Sequence, residues 1–179
     1  MGRVRLIILL GLFLCIDGCS NNRIRDVLET FLSQEVTFPS TLICCSSDTD
    51  GVTSLRDSIP KLIIYVDSTQ CSSCRVSHLS EYIPLYDDAL RSRRYTLSII
   101  LSPPVSEYGH IAHLLELYNY PFPVFLDKSH SFRKENGFIP DDARFHAFLT
   151  DQANRPVLVG DPVRSKKIRQ LFEPMLTEF

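Results

Sequence analysis

The sequence has no excess of basic charge. Its 19 Lys and Arg residues are outnumbered by 21 Asp and Glu, giving a formal charge of -2. No Lys/Arg run is longer than a pair such as Lys166-Lys167. A nucleic-acid partner, which needs a patch of cations against its phosphates, is therefore excluded as the main reading. Long apolar runs are absent too. The leading one, Leu6 to Ile16, falls well short of the roughly 20 residues that span a bilayer. No internal repeat and no low-complexity linker divides the chain, so one globular domain is expected. With 179 residues and 44% hydrophobic content, such a domain buries roughly 70% of its unfolded surface and needs no metal or disulfide for stability.

What is present begins with an address. "MGRVRLIILLGLFLCIDGCSNN" places Arg3 and Arg5 before the apolar run and small residues after it. The run has the length of a secretory h-region, about 7 to 15 residues. Its end, "IDGC", resembles a bacterial lipobox, in which the cysteine, here Cys19, receives lipid; Asp17 stands where a small neutral residue is usual. That resemblance implies a signal peptide over 1–18 and a mature chain anchored by several acyl chains, which hold a membrane where one chain does not. Ser20 after the cysteine is similar to lipoproteins sorted to the outer membrane of Gram-negative cells. Ordinary signal cleavage, with Cys19 left as a thiol, is the alternative, and either way the domain works outside the cytoplasm. In an oxidising envelope Cys44, Cys45, Cys71 and Cys74 can be bonded to one another, in a connectivity that the sequence leaves open.

Residues 19–54 read as an extension: a helical spacing in "IRDVLETFL", an extended "EVTFPSTLICC" and a polar, loop-like "SSDTDGVTSLRDS". Residues 55–179 read as the main domain. "KLIIYVD" and "YTLSIILSPP" are continuous apolar runs of the kind found in strands covered on both faces, and "FPVFLD" is a third strand. Helices are expected over "RVSHLSEYIPLYDDALR", with a break at Pro84, and over residues 105–119. "KSHSFRKENGF" gives a short helix with Gly137 as its C-cap, and "RFHAFLTDQANRPVLVG" a hairpin turning at Asp151 to Asn154. Asp161 and Pro162 are expected to open a last amphipathic helix as N-cap and first residue. Strands alternating with helices, closed by a hairpin, define an α/β fold with a central mixed sheet flanked by helices.

The chemistry is concentrated in "DSTQCSSCRVSHL". A strand that ends in C-x-x-C and continues as a helix puts Cys71 at the helix N-terminus, where unsatisfied N–H groups stabilise a thiolate. Cys74, one turn on, faces the same way and is placed to resolve a mixed disulfide. Arg75 adds positive charge nearby. A structural disulfide and a metal site remain the alternatives for this pair. The tandem Cys44 and Cys45 cannot comfortably ligate one tetrahedral ion together. His146 is read as a residue able to tune Cys71 or bind a metal, or as a packed strand histidine. Asp67 is read as a strand-end residue making a local turn contact. The rings of "YNYPFPVF" are core and turn residues rather than a cofactor box, and no cofactor or metal is expected.

Over about residues 55 to 177 the chain resembles the thioredoxin superfamily, and within it the membrane-anchored thiol:disulfide oxidoreductases of the TlpA and ResA type. The resemblance rests on "KLIIYVDSTQCSSC", on "YPFPVFLDKSHSFRKENGF" and on "HAFLTDQANRPVLVGDP". It implies a thioredoxin-like fold, Cys71 as nucleophile, Cys74 as resolving cysteine, envelope protein thiols and disulfides as partners, and substrate contact near Phe145 and His146. The chain departs from the pattern at Gln70, where an aromatic is usual, at Ser72 and Ser73, and at Phe145, which stands where the family has its cis-proline. Neither cysteine has the proline spacing of a peroxidase. Two functions follow as expectations: envelope thiol:disulfide exchange, or a non-catalytic thioredoxin-like lipoprotein that binds a partner or a metal, copper included, through Cys71, Cys74 and His146.

Overall fold

A computed structural model of the chain describes residues 16–45, 55 and 58–177, with side chains from residue 23 onward. Most of the expected signal peptide, the side chain of Cys19 and nearly all of the polar loop 46–58 lie outside the described residues. Helix α1 (Ile16–Leu32) leads to the short strand β1 (Ile43–Cys44). The order then runs β2 (Lys61–Val66), α2 (Ser72–Ser77), α3 (Ile83–Ser92), β3 (Thr96–Leu101), α4 (Tyr108–Tyr118), β4 (Val124–Leu126), α5 (Ser131–Glu135), β5 (Ala147–Thr150), β6 (Pro156–Val159) and α6 (Lys166–Met175).

The six strands form one mixed sheet in the order β1-β4-β3-β2-β5-β6. β2, β3 and β4 are parallel, with Ile64 opposite Ile99 and Ile99 opposite Val124, so each crossover carries helices that must lie against the sheet. β1 joins β4, and β5 joins β2, in antiparallel pairing. The continuous apolar runs have their explanation in this burial. Side chains alternate along a strand, and here both faces are covered. Leu62, Ile64, Val66, Ile99 and Leu101 pack with Val76, Tyr82, Leu85, Ile111, Leu115 and Phe172 on the helical side. Ile63, Tyr65, Ile100, Phe125 and Phe148 pack on the other side with Phe31, Val36, Phe132, Ile139 and Phe145.

The segment read as an extension is tied into that second face. Phe31 and Val36 are buried, Val36 N donates to Asn154 O at 2.9 Å, and Thr37 exchanges two hydrogen bonds of 2.8 Å with the Asn136 side chain. The predicted break at Pro84 is present: a single-turn 3-10 helix (Leu79–Tyr82) separates α2 from α3, and Pro84 occupies the first turn of α3, where its missing N–H costs nothing.

Two expected caps are placed differently. Helix α6 starts at Lys166 with Ser165 as N-cap, its Oγ accepting from Ile168 N at 3.4 Å. Asp161 is spent earlier, accepting from Val163 N at 2.9 Å in a tight turn and from the Tyr82 hydroxyl at 2.5 Å. Gly137 is likewise not the C-cap of α5; Asn136 is, at a negative φ. The Asn136 amide side chain donates to Phe132 O at 2.8 Å, which closes the helix by a side-chain bond in place of a left-handed glycine.

Candidate active site

The site forms where β2 stops. Asp67 Oδ1 accepts from Thr69 N at 2.9 Å and from Thr69 Oγ1 at 2.7 Å, and Gln70 N donates to Asp67 O at 3.2 Å. This Asx turn redirects the chain out of the sheet, as read for Asp67, and delivers Cys71 as the N-cap of α2. Helix α2 is pinned from beneath by the buried Val76, whose carbonyl accepts from the Tyr120 hydroxyl at 2.7 Å.

Cys71 and Cys74 form a disulfide with Cα atoms 5.3 Å apart. Both residues are exposed. Cys71 Sγ also accepts from Cys74 N at 3.3 Å. That contact matters most in the reduced state, because an N–H aimed at sulfur favours thiolate over thiol.

His146 is packed, the second of the two readings given for it, and what the sequence did not reveal is its partner. His146 is only 3% exposed and lies beside the end of β2, its carbonyl accepting from Tyr65 N at 2.8 Å. Its ring contacts Tyr65 at 5.1 Å between centroids. Nε2 is 2.8 Å from Pro140 O; a carbonyl only accepts, so Nε2 carries the proton. Nδ1 lies 3.0 Å from the Gln70 side-chain amide. His146 thus holds the residue that precedes Cys71 across a separation of 76 positions, with Asp67 Oδ2 3.9 Å from the same ring nitrogen. Gln70, met in the sequence only as a departure from an aromatic, is the partner that gives His146 its place, and no local sequence signal joins the two.

Phe145 closes a 3-10 turn (Ala143–Phe145) with its N–H on Asp142 O at 2.9 Å. Its side chain is buried in the core face away from the α2 side, so it supports the turn from below while the His146 ring meets Gln70, the residue before Cys71. Asp142 caps the turn and is clasped by Arg144 at 2.6 to 3.0 Å, which holds the Asp142 carboxyl below its ordinary value. A cleft of about 370 Å³ opens beside Gln70, lined also by Arg75, Arg144, His146, Asp161 and Arg164.

Cys44 and Cys45 are half-buried, on and just past the edge strand β1, and take no part in a disulfide. Burial, with Cys44 adjacent, pushes the Cys45 thiol up, and its Sγ lies 3.5 Å from Ile43 O. Among the described residues no group of three or more His, Cys, Asp or Glu side chains is arranged to hold a metal. No described helix is long and apolar enough to cross a membrane.

The strand order, the parallel crossovers and the helix carrying C-x-x-C at its start define a thioredoxin-like fold. The same fold is found in a candidate thiol:disulfide interchange protein, DsbE, from Chlorobium tepidum, at TM-score 0.55 and 12% identity, over 80% of this chain and 98% of that one. Two further solved structures match less well. A candidate protein disulfide isomerase from Bacteroides thetaiotaomicron has TM-score 0.49 and 14% identity over 78% of this chain and 87% of that one. The exposed lipoprotein thioredoxin of Streptococcus pneumoniae has TM-score 0.48 and 16% identity over 69% and 87%. No protein-family model and no curated protein matches the sequence.

Proposed function

We propose that the protein is a thiol:disulfide oxidoreductase of the bacterial cell envelope, with Cys71 as nucleophile and Cys74 as resolving cysteine. The observation that carries this reading is the exposed Cys71–Cys74 disulfide at the N-cap of α2, with Cys74 N–H directed at Cys71 Sγ. Starting from the dithiol, the Cys71 thiolate attacks a substrate disulfide; one sulfur–sulfur bond breaks, another forms to Cys71, and the released substrate thiolate takes up a proton. The Cys74 thiolate, having lost its proton to solvent, then attacks Cys71 Sγ and expels the second substrate thiolate, which is protonated in turn. Two electrons pass to the substrate and the protein is left with the observed disulfide. A dithiol donor of the envelope restores the starting state, and run backwards the same steps oxidise a substrate dithiol. In this reading His146 holds Gln70, the residue before Cys71, and Phe145 supports the turn that leads to His146.

Equilibration with glutathione, followed by mass, tests the chemistry. A reversible two-electron equilibrium and a Cys71 pKa below the roughly 8.5 of free cysteine are expected; a disulfide that glutathione never opens, or an unshifted Cys71, contradicts it. Anchoring through Cys19, after removal of residues 1–18, is the localisation that goes with this reading, in a Gram-negative outer membrane. Cys19→Ser should move the protein from the membrane to the soluble fraction, and an unchanged distribution rules the anchor out.

A second reading has one observation in its favour. The Phe145 N–H is committed to Asp142 O, at the position where relatives that exchange disulfides carry a proline with no N–H to give. On that ground the chain is a thioredoxin-like binding module whose disulfide is structural. Full biological activity in the Cys71→Ser, Cys74→Ser double variant would select it.

A further inference from the structure

The cleft beside Gln70, the residue before Cys71, is lined by more cations than carboxylates in a molecule whose overall charge is negative. Three guanidinium groups line it, Arg75 from α2, Arg144 from the 3-10 turn and Arg164 from the loop before α6, against one carboxylate, Asp161. Two of the three already have company. Arg144 is clasped by Asp142, and Arg164 lies 3.6 Å from both Glu81 and Asp161, longer than a hydrogen bond of about 2.7 to 3.2 Å. Arg75 differs. Among the described residues no carboxylate pairs with its guanidinium and its buried Nε has no hydrogen-bond partner, so it is the one of the three whose charge an incoming acceptor finds uncommitted. Since Arg75 N bonds to Cys71 O at 3.0 Å, four residues apart on one helix, its side chain starts from the face that carries Cys71.

We propose that this cleft selects substrate proteins carrying an acidic side chain close to the disulfide to be exchanged, the carboxylate docking on Arg75 with Arg164 and Arg144 beside it. The proposal rests on the exchange reading above and names its substrate class. Positions four apart on a helix are separated by about 5 to 6 Å, and an extended peptide rises about 3.3 Å per residue, so the acid belongs on the order of two residues from the attacked cysteine. A carboxylate suits the site because guanidinium donors pair with it in charge-assisted bonds, whereas a lysine would meet Arg75, which has no carboxylate beside it, while Asp142, Glu81 and Asp161 are already taken up by Arg144 and Arg164. Local charge of this kind acts on encounter and specificity more than on overall affinity.

The test uses three peptides with one internal disulfide each and Asp, Ser or Lys two residues from the more exposed cysteine. Their rates of reaction with the reduced full-length chain are measured at low and high salt. The expected order is Asp, then Ser, then Lys, with about a tenfold spread between the extremes at low salt that shrinks as salt screens it. Arg75→Gln should compress the Asp to Lys ratio and Arg75→Glu invert it. Equal rates for the three peptides with the unaltered chain overturn the proposal. So does a uniform slowing in Arg75→Gln with the ratio kept, because it would place Arg75 on the thiolate and not on the substrate.

Failure of the exchange reading is visible separately, as no reaction of any disulfide, an uncharged hydroxyethyl disulfide included. In that event cysteine-free versions of the Asp and Lys peptides decide by NMR titration: preferential binding of the Asp peptide, with shifts at Arg75 and Arg164, upholds the cleft, and equal or absent binding overturns it.

Discussion

At the scale of single residues, what His146 can do is decided by its two ring nitrogens. Nε2 donates to Pro140 O and Nδ1 meets the Gln70 side-chain amide, so both ring nitrogens are engaged. Ring 15N shifts should therefore report a protonated Nε2, and an unprotonated Nε2 would contradict the bond to Pro140 O. His146→Phe fills the space but strands Pro140 O and the Gln70 amide, at a cost of about 1 to 3 kcal/mol, read as a lower urea midpoint. The contact was not legible in the sequence. The spacing of Cys71 and Cys74 was, because a helix N-terminus and its first turn are local, whereas Gln70 and His146 meet only after β5 has docked on β2.

The cysteines differ for equally local reasons. Burial raises the Cys45 thiol, so after reduction iodoacetamide at neutral pH should modify Cys71 well before Cys45. Mass mapping that found Cys45 first would reverse the assignment of the reactive thiol.

At the scale of elements, the approach of α6 to the sheet depends on Gly160. Its φ is +127°, and a Cβ there would lie 2.7 Å from the Ile168 Cδ1 and Cγ1 atoms. Gly160→Ala is both strained and overpacked, and should lower stability by about 2 to 4 kcal/mol. Adding Ile168→Ala relieves the clash but not the backbone, so thermal unfolding of the double variant should show no full recovery; full recovery would mean that the backbone conformation carries no cost.

The same corner explains where the reading of helix starts went astray. Asp161-Pro162 carries a helix-opening signature, yet the Asp161 carboxylate is taken by Val163 N and by Tyr82, a residue 79 positions away, and the helix waits for Ser165. The strands were easier. Runs such as "KLIIYVD" and "TLSIIL" are buried on both faces, so their composition alone declares them, while β1, two residues long at an edge, has no comparable signal. The break at Pro84 was readable because proline acts on its own turn of helix.

At the scale of the whole molecule, the sheet with two covered faces keeps several tyrosines from water. Burial pushes Tyr65 up to about 12, and pushes Tyr82 and Tyr95 up as well, with Asp161 and Asp88 adding to it. A raised value means that the fold prefers the neutral phenol. The stability this represents is intact below the ordinary value near 10 and is lost as pH rises through the folded values. Alkaline titration should show the buried phenols ionising late and together with loss of circular dichroism; smooth titration of all seven tyrosines near 10 in a folded protein would contradict that burial.

Among the described residues the Cys71–Cys74 disulfide stands at the start of a helix, and the claim that it turns over is open to a direct measurement. The Cys74→Ser chain, reduced and mixed with an acidic disulfide peptide, is expected to stall as a one-to-one mixed disulfide mapped to Cys71, while the unaltered chain releases reduced peptide and Cys71→Ser does neither. No adduct in Cys74→Ser, or an adduct mapped to Cys44 or Cys45 instead, would contradict a redox role for the Cys71–Cys74 pair.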